Sequence, residues 1–502
     1  MMSEEDRKIR ERLKNLEELV ERNVDPFAEY SYERTHKTKE IVDNFDELEG
    51  KEVKICGRLS SVRRHGKISF FDLKDISGEI QLVLKEDNLE DYGILDYIGR
   101  GDHIGVVGNV MKTRTEEISV EVGEFKILSK CLRNLPSQKT GLEDPEKRFR
   151  QRYLDLMTND EVRDRFVKRH EVVKEMRNFL NERDFVEIET PVLQEIYGGA
   201  LARPFKTQHN MLDREFYLRI SNELYLKRLI VGGFENVYEF VKDFRNEGID
   251  RNHNPEFTQV ELYQAYTDYK DIMKLTEDII SHVAKEVMGK NEIEYQGQVI
   301  DFSKPWRRIS MVDSLKEFQG IDVENKDKED LVKIANEHNL EVEKNVSRGE
   351  LIAALFEELV EDDLVQPTLI YDYPVEVSPL AKKKRGDPRF TERFEIFVCG
   401  MELGNAFSEL NNPLEQKKRF EDQVQKRNEG DMEAHEMDKD YIRALEYGMP
   451  PTGGLGIGID RLVMILTNAP SIKEVIAFPQ LGEIEGLIEL HGDMVKDKVF
   501  KK

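Results

Sequence analysis

Phe244-Arg245-Asn246-Glu247-Gly248, continued by His253-Asn254-Pro255-Glu256-Phe257 and then Glu261-Leu262-Tyr263, is the stretch on which the reading of this chain turns. It places an arginine, a glutamate, a histidine and an aromatic residue within about one hairpin's length of each other. A guanidinium is always charged, and its planar fork can engage two anions at once. The set therefore suits a nucleoside triphosphate held beside a second charged substrate.

A second constellation, Pro450-Pro451-Thr452-Gly453-Gly454-Leu455-Gly456-Ile457-Gly458-Ile459-Asp460-Arg461, leads into the apolar run Leu462 to Leu466. Glycines let a backbone approach a ligand closely, and the pattern predicts a glycine-rich strand entering a helix with Arg461 in its first turn. A dinucleotide-binding turn is the competitor, but it wants GxGxxG and an acidic residue about twenty positions later. The spacing here is GxGxGxDR.

A third group lies between Arg393 and Asn411: Glu395, Glu402, Asn405, Phe407 and Glu409. On one strand Asn405, Phe407 and Glu409 share a face. Glu395 and Glu402 can join them only through a turn, which Cys399-Gly400-Met401 can supply. Carboxylates gathered beside a triphosphate call for a neutralising cation, and Mg²⁺ suits oxygen ligands. Taken singly, each feature is equally at home in a surface hairpin, an ordinary glycine loop or a solvated acidic strand. The ordered string carries the reading.

In that order the segments resemble motifs 2 and 3 of the class II aminoacyl-tRNA synthetases. The helical pattern Val162 to Arg183, with Phe185-Val186-Glu187-Ile188-Glu189-Thr190-Pro191, resembles their motif 1. The wording FRNEG, together with Gly198-Gly199-Ala200-Leu201-Ala202-Arg203-Pro204-Phe205 and Ser378-Pro379-Leu380-Ala381-Lys382, is similar to the lysine enzymes of that family. The resemblance implies an α+β catalytic domain over 153–502, with an antiparallel sheet flanked by helices, and a homodimer built through motif 1. It implies that Arg245 bridges the α-phosphate of ATP and the attacking carboxylate, and that Arg461 meets the γ-phosphate. His253 then approaches the distal phosphates, Phe257 stacks on adenine, and Glu247 accepts from the adenine amine. Glu395 and Glu402 hold Mg²⁺, up to three ions in all, with Glu402 also touching ATP.

For lysine, the resemblance assigns Glu409 and Tyr263 to the side-chain ammonium, Phe407 to the apolar stem and Glu223 to the α-amino group, with Asn405 and the backbone near Gly199 completing the pocket. An ammonium on an apolar stem needs a buried carboxylate and an apolar wall, and Glu409 repels the aspartate that close relatives activate. Ornithine is harder to exclude, because one methylene is worth only ~1–3 kcal/mol. The implied reaction makes lysyl-adenylate from L-lysine and ATP, then passes lysine to the terminal ribose of tRNA(Lys).

From about Gly50 the hydrophobic period is two: Val53 and Ile55, Ile68 and Phe70, Ile80 to Leu84, Ile104 and Val106, Val120 and Val122. Five short alternating segments over 50–134 predict a small closed β-barrel of the OB type. In the resemblance Arg63, Phe70 and Gln81 are its anticodon contacts. Before it, residues 1–49 form a helical extension in which Leu13, Leu16, Leu19 and Val20 mark an amphipathic helix. Residues 135–152, rich in charge and proline, are expected to be a linker, and 309–361 a helical insertion. Two alternatives stay open. One is a paralogue that ligates lysine to protein, against which the barrel counts. The other is an RNA-binding relative with a decayed site, against which Arg245, Glu402 and Arg461 together count.

Composition sets outer bounds. The 502 residues carry a formal net charge of -25, which is unlike an RNA binder overall. Between Lys51 and Lys130, however, 13 Lys and Arg face 14 Asp and Glu, so this segment carries almost none of the acidity. Three scattered cysteines, Cys56, Cys131 and Cys399, show no metal or redox spacing. No apolar run approaches the ~20 residues of a membrane helix, and the expected location is the cytoplasm.

Overall fold

The computed structural model describes residues 4–137, 141–342, 346–429 and 436–482. The chain divides into two compact units, the first ending at Leu142 and the second beginning at Glu143. The expected tail of the catalytic domain beyond residue 482 lies outside the described residues.

In the first unit, strands β1 (Glu52–His65), β2 (Ile68–Lys74), β3 (Glu79–Lys85), β4 (His103–Lys112) and β5 (Ile118–Ser129) close a barrel in the order β1-β2-β3-β5-β4. Its interior is filled by Val53, Ile55, Leu59, Leu82, Ile104, Val106, Val120 and Val122. In β2 the pair Ile68 and Phe70 lies outside, as an anticodon-contacting Phe70 requires, and not inside like the apolar alternation of the other strands. In β2 the buried positions are Ser69, Phe71 and Leu73, so Ile68, Phe70 and Asp72 face outward. The adjacent Phe70 and Phe71 made either register readable, and the barrel takes the one that buries Leu73. Helix α1 (Glu4–Glu21) is mostly polar, yet Ile9, Leu13, Leu16 and Leu19 are all buried. Full burial of such side chains contributes ~1.5–3 kcal/mol each, enough to hold a helix of poor intrinsic hydrophobicity in place.

The expected linker is folded from Asp144 onward and belongs to the second unit. The Asp144 carboxylate caps helix Pro145–Arg150 by accepting from the Glu146 and Lys147 amides. Arg148 pairs with Asp155 and Glu474, and Arg152 is completely buried against Asp155. The charges that suggested a solvated connection are partners in an ion-pair network.

The second unit is built on an eight-stranded sheet, mostly antiparallel. Helix α2 (Asp160–Asn181) leads to the two-residue edge strand β6 (Val186–Glu187). The strand stops short because Pro191 has no amide to donate, and Thr190 gives its amide and hydroxyl to Glu239. Helix α3 (Glu223–Val231) precedes the hairpin of β7 (Asn236–Phe244) and β8 (Glu256–Ala265), which is followed by helix α4 (Tyr269–Met288). After a separate two-stranded hairpin of Glu292–Tyr295 and Gln298–Asp301 come β9 (Arg307–Ser310), the helices Met311–Gln319, Lys328–Glu337 and Arg348–Leu359, and β10 (Thr368–Tyr371). The expected insertion thus begins with a strand, Ile309 lying in β9 in parallel register with Ile370. Strands β11 (Arg393–Val398), β12 (Met401–Ser408) and β13 (Thr452–Gly458) complete the sheet, in the order β9-β10-β11-β12-β13-β8-β7-β6. Helix α5 (Ile459–Leu466) follows β13.

One face of this sheet is apolar. Val260, Leu262, Leu455, Ile457, Ile396 and Phe394 pack there against α4 and α5 in the largest core cluster. The opposite face carries the polar side chains.

Candidate active site

Cross-strand register assembles the site. Tyr263, Gly454, Phe407 and Arg393 are direct neighbours across β8, β13, β12 and β11. The next row is Glu261, Gly456, Asn405 and Glu395. Opposed residues in antiparallel strands share a face, as do alternate residues along a strand, so all eight lie on the polar side. The middle strand contributes only glycine to both rows. The missing side chains leave a trough, a cavity of about 380 Å³.

Every residue singled out in this unit lines that cavity: Gly199, Glu223, Arg245, Glu247, His253, Phe257, Tyr263, Glu395, Glu402, Asn405, Phe407, Glu409 and Arg461. Glu402 reaches it through two features of one hairpin. Cys399 and Gly400 turn with positive φ of 55° and 68°, and a one-residue register shift then sets Phe397 against Glu402 while Glu395 opposes Asn405. The shift reverses the alternation and returns Glu402 to the face of Glu395.

At one end of the cavity, the Arg245 guanidinium lies 5.0 Å from the centre of the Phe257 ring. That arginine also has a buried Nε without a hydrogen-bond partner. Arg461 donates to the Glu402 carbonyl oxygen at 2.6 Å and to His253 Nε2 at 3.0 Å. With Nε2 accepting, the ring proton sits on Nδ1 and is directed at Asp250 Oδ2, 2.7 Å away. Glu247 is exposed at the rim. Glu395 accepts from Arg393 at 2.5 Å and from the Tyr373 hydroxyl at 2.8 Å. Burial, reinforced by the charge of Glu402, pushes its carboxyl up to about 7.

At the other end, Glu409 is 1% exposed, and its Oε1 has no hydrogen-bond partner. Its Oε2 contacts the ammonium of Lys227, which also touches Glu223 Oε1. Tyr263 donates its hydroxyl to Glu261 Oε2 at 3.1 Å, and Ser221 donates to Glu261 Oε1 at 3.0 Å. Burial raises the carboxyl pKa values of Glu223, Glu261 and Glu409, Lys227 opposing it at Glu223 and Glu409. Burial likewise works against the charge on Lys227, but Glu223 and Glu409 outweigh it and raise its pKa. Two buried carboxylates, Glu223 and Glu409, thus share one buried ammonium, and a third, Glu261, lies beside Glu223 and Tyr263. Gly199 has φ +93°, and a Cβ there would lie 2.7 Å from Ser221 Oγ, so only glycine fits this wall.

Lys227, Glu261 and Arg393 were not among the residues expected from sequence. Two of them carried a readable signal: Lys227 stands one helical turn after Glu223, and Glu261 stands two strand positions before Tyr263. Arg393 donates to Asn405 Oδ1 at 3.0 Å as well as to Glu395, so it fixes both.

On the barrel, Arg63 is paired in register with Phe70, and Asp72 with Gln81. All four point outward from strands whose alternate residues fill the core. Arg63 is held by two hydrogen bonds to Asp72, 2.7 and 2.9 Å, and Phe70 is half-buried with His65 beside it at 6.3 Å between ring centres.

An antiparallel sheet with a glycine-cleared trough, an arginine from a strand hairpin and a second arginine in the first turn of α5 defines a class II aminoacyl-tRNA synthetase. Residues 144–482 match the tRNA synthetases of class II (D, K and N), and residues 53–128 match the OB-fold nucleic acid binding domain. The lysine–tRNA ligase of Clostridium novyi is 52% identical over 482 residues, covering 94% of each chain. That of Clostridium perfringens is 53% identical over 476 residues, covering 94% of this chain and 95% of its own. The enzyme of Syntrophomonas wolfei is 53% identical over 487 residues, 96% of this chain and 99% of its own. The chain belongs to the lysine–tRNA ligase family.

Proposed function

We propose that this protein activates L-lysine with ATP and transfers it to the 3′-terminal ribose of tRNA(Lys). The observation that carries the choice of amino acid is the free Oε1 of buried Glu409, set against the rings of Tyr263 and Phe407. A buried carboxylate oxygen without a donor is stabilised by a cation, and an aromatic wall suits the stem that bears one. Glu223 takes the α-ammonium. A carboxylate or amide side chain at Glu409 leaves that charge unpaired, which disfavours aspartate and asparagine by several kcal/mol.

The lysine carboxylate is ionised at neutral pH, so the first step needs no general base. One of its oxygens attacks the α-phosphorus, the bond to the bridging oxygen of pyrophosphate breaks, and lysyl-adenylate remains. Arg245 binds both anions and orients them, with Phe257 beneath the adenine. Arg461 and His253 bind the departing phosphates. The ribose hydroxyl of tRNA then attacks the acyl carbon, the bond from that carbon to the phosphate oxygen breaks, AMP leaves, and the hydroxyl proton passes to the departing phosphate or to water. The donor chemistry of Glu395 and Glu402 fits Mg²⁺, a hard cation that prefers oxygen ligands and keeps phosphate and water in its shell. Among the described residues no three His, Cys, Asp or Glu converge to hold an ion unaided, in keeping with ions that arrive with ATP. When bound there, Mg²⁺ neutralises the triphosphate.

Arg63, Phe70 and Gln81 form the anticodon face, the ring stacking on a base and the amide reading a base edge. The homodimer belongs to the same reading: Val186, Val192, Leu193 and Ile196 are exposed apolar side chains around the edge strand β6. No helix among the described residues is long and apolar enough to cross a membrane, and we assign the reaction to the cytoplasm. Amino-acid-dependent ATP–pyrophosphate exchange with all twenty amino acids tests the proposal. Exchange with lysine alone is expected, and exchange with aspartate or asparagine in its absence would overturn the assignment.

A further inference from the structure

Lys227 is a fully buried cation in contact with Glu223 and Glu409, and nothing in the reaction as set out above uses it. It lies on the inner face of α3, 0% exposed, one turn beyond Glu223. Its ammonium touches one oxygen of Glu223 and one of Glu409, the carboxylates assigned to the two ends of the substrate. It stands 5.2 Å from the centre of the Phe407 ring and 5.9 Å from that of Tyr263, the same aromatic walls that flank the substrate stem.

We propose that Lys227 is a positioning and specificity-determining residue, a resident ammonium that pins Glu223 and Glu409 by one oxygen each and matches the pocket's charge to a substrate with two ammonium groups. This rests on the lysine reading of the site. Two physical arguments support it. A free carboxylate side chain rotates, but Glu409 tethered through Oε2 presents Oε1 in one direction, which reduces the conformational freedom lost on binding. The charge count points the same way. Glu223, Glu261 and Glu409 bring three carboxylates, and Lys227 neutralises one, leaving two for the α- and ε-ammonium groups of lysine. Without Lys227 the third carboxylate would be uncompensated, and the pocket would take up a proton that lysine must displace.

The groups that face this cluster come from several elements besides α3. They are Glu261 and Tyr263 on β8, Glu409 beyond β12, Arg393 on β11, Tyr441 on helix Lys439–Glu446, whose hydroxyl has no hydrogen-bond partner, and Asp243 on β7, which Gln259 joins to Glu261 and which pairs with Arg219 outside the cluster. Arg393 is committed to Glu395 and Asn405, and the two phenols are uncharged at neutral pH. Lys227 is therefore the cation that sets the charge balance at this end.

The test is the pH profile of lysine-dependent ATP–pyrophosphate exchange in Lys227→Met, Lys227→Gln and Lys227→Arg. The two neutral variants are expected to raise the KM for lysine by about tenfold or more at pH 7, one pKa unit of extra proton competition being a tenfold effect, with the KM for ATP little changed. Their lysine KM should also fall more steeply than the wild type's as pH rises from about 6.5 to about 8.5. Lys227→Arg keeps the charge and should keep the wild-type pH slope. A residue that only supports the fold would alter melting temperature and expression without steepening that slope. An unchanged lysine KM and slope in a folded neutral variant would overturn the inference, as would loss of fold in both neutral variants beside a fully active Lys227→Arg. Absence of lysine exchange in the wild type would instead overturn the lysine reading itself.

Discussion

Gly454 and Glu409 share one wall of the cavity so closely that a Cβ on Gly454 would collide with Glu409 Oε1. The same Cβ would lie 2.7 Å from the Tyr263 ring. Gly454 lies in register between Phe407 and Tyr263, and its lack of a side chain leaves that space open. Gly454→Ala is expected to raise the KM for lysine by about tenfold or more, since overpacking costs ~1–3 kcal/mol. The KM for ATP should stay close to wild type. Steady-state pyrophosphate exchange with each substrate varied in turn checks this, and equal losses for both substrates would place the damage in the sheet.

A second prediction concerns pH. Burial raises the carboxyl pKa values of Glu223, Glu261 and Glu409 in the empty pocket. The folded chain therefore holds protons that the unfolded chain has released. The stability these groups contribute is fully present below the ordinary glutamate value of about 4.3 and is lost as pH rises through their raised folded values. The ammonium groups of lysine replace those protons, so the melting-temperature gain on adding lysine should be larger at about pH 8.5 than at about pH 6. Thermal melts with and without lysine at the two pH values decide it. A gain independent of pH would show that the carboxylates are already ionised without ligand.

On the barrel, Phe70→Ala is expected to raise the tRNA KM, because stacking of one base on one aromatic is worth ~1–3 kcal/mol. Pyrophosphate exchange should be unaffected, since Phe70 belongs to the other compact unit. A defect in exchange itself would mean that the substitution acts on folding.

How much of this was legible in the sequence depends on the scale of the interaction. The barrel was readable because its pattern repeats at period two, and the glycine strand because glycines at alternate positions mark a cleared face. In β2 the alternation alone did not decide, because Phe70 and Phe71 offer an aromatic to both faces, and it is the closed barrel that puts Phe71 inside and Phe70 outside. The stretch 135–152 resembled a linker because its charges have partners far away in sequence: Arg148 pairs with Glu474, 326 positions on. Glu402 could be placed beside Glu395 only conditionally, since a turn was visible in Cys399-Gly400 but the one-residue register shift that corrects the face was not. The role of Lys227 was hidden for a related reason. A helix shows its i,i+4 neighbour Glu223, whereas Glu409 arrives from just beyond a strand, 182 positions later.

The central claim is that Glu409 reads the substrate's ε-ammonium, and Glu409→Gln tests it most directly. The amide keeps the shape and the hydrogen-bonding reach of the side chain but carries no charge, leaving the ligand's cation without its buried partner. Lysine-dependent pyrophosphate exchange should lose on the order of a hundredfold or more in kcat/KM for lysine, since breaking a buried ion pair costs ~3–5 kcal/mol, while the KM for ATP changes little. Equal losses toward lysine and ATP, or no loss toward either, would contradict the account.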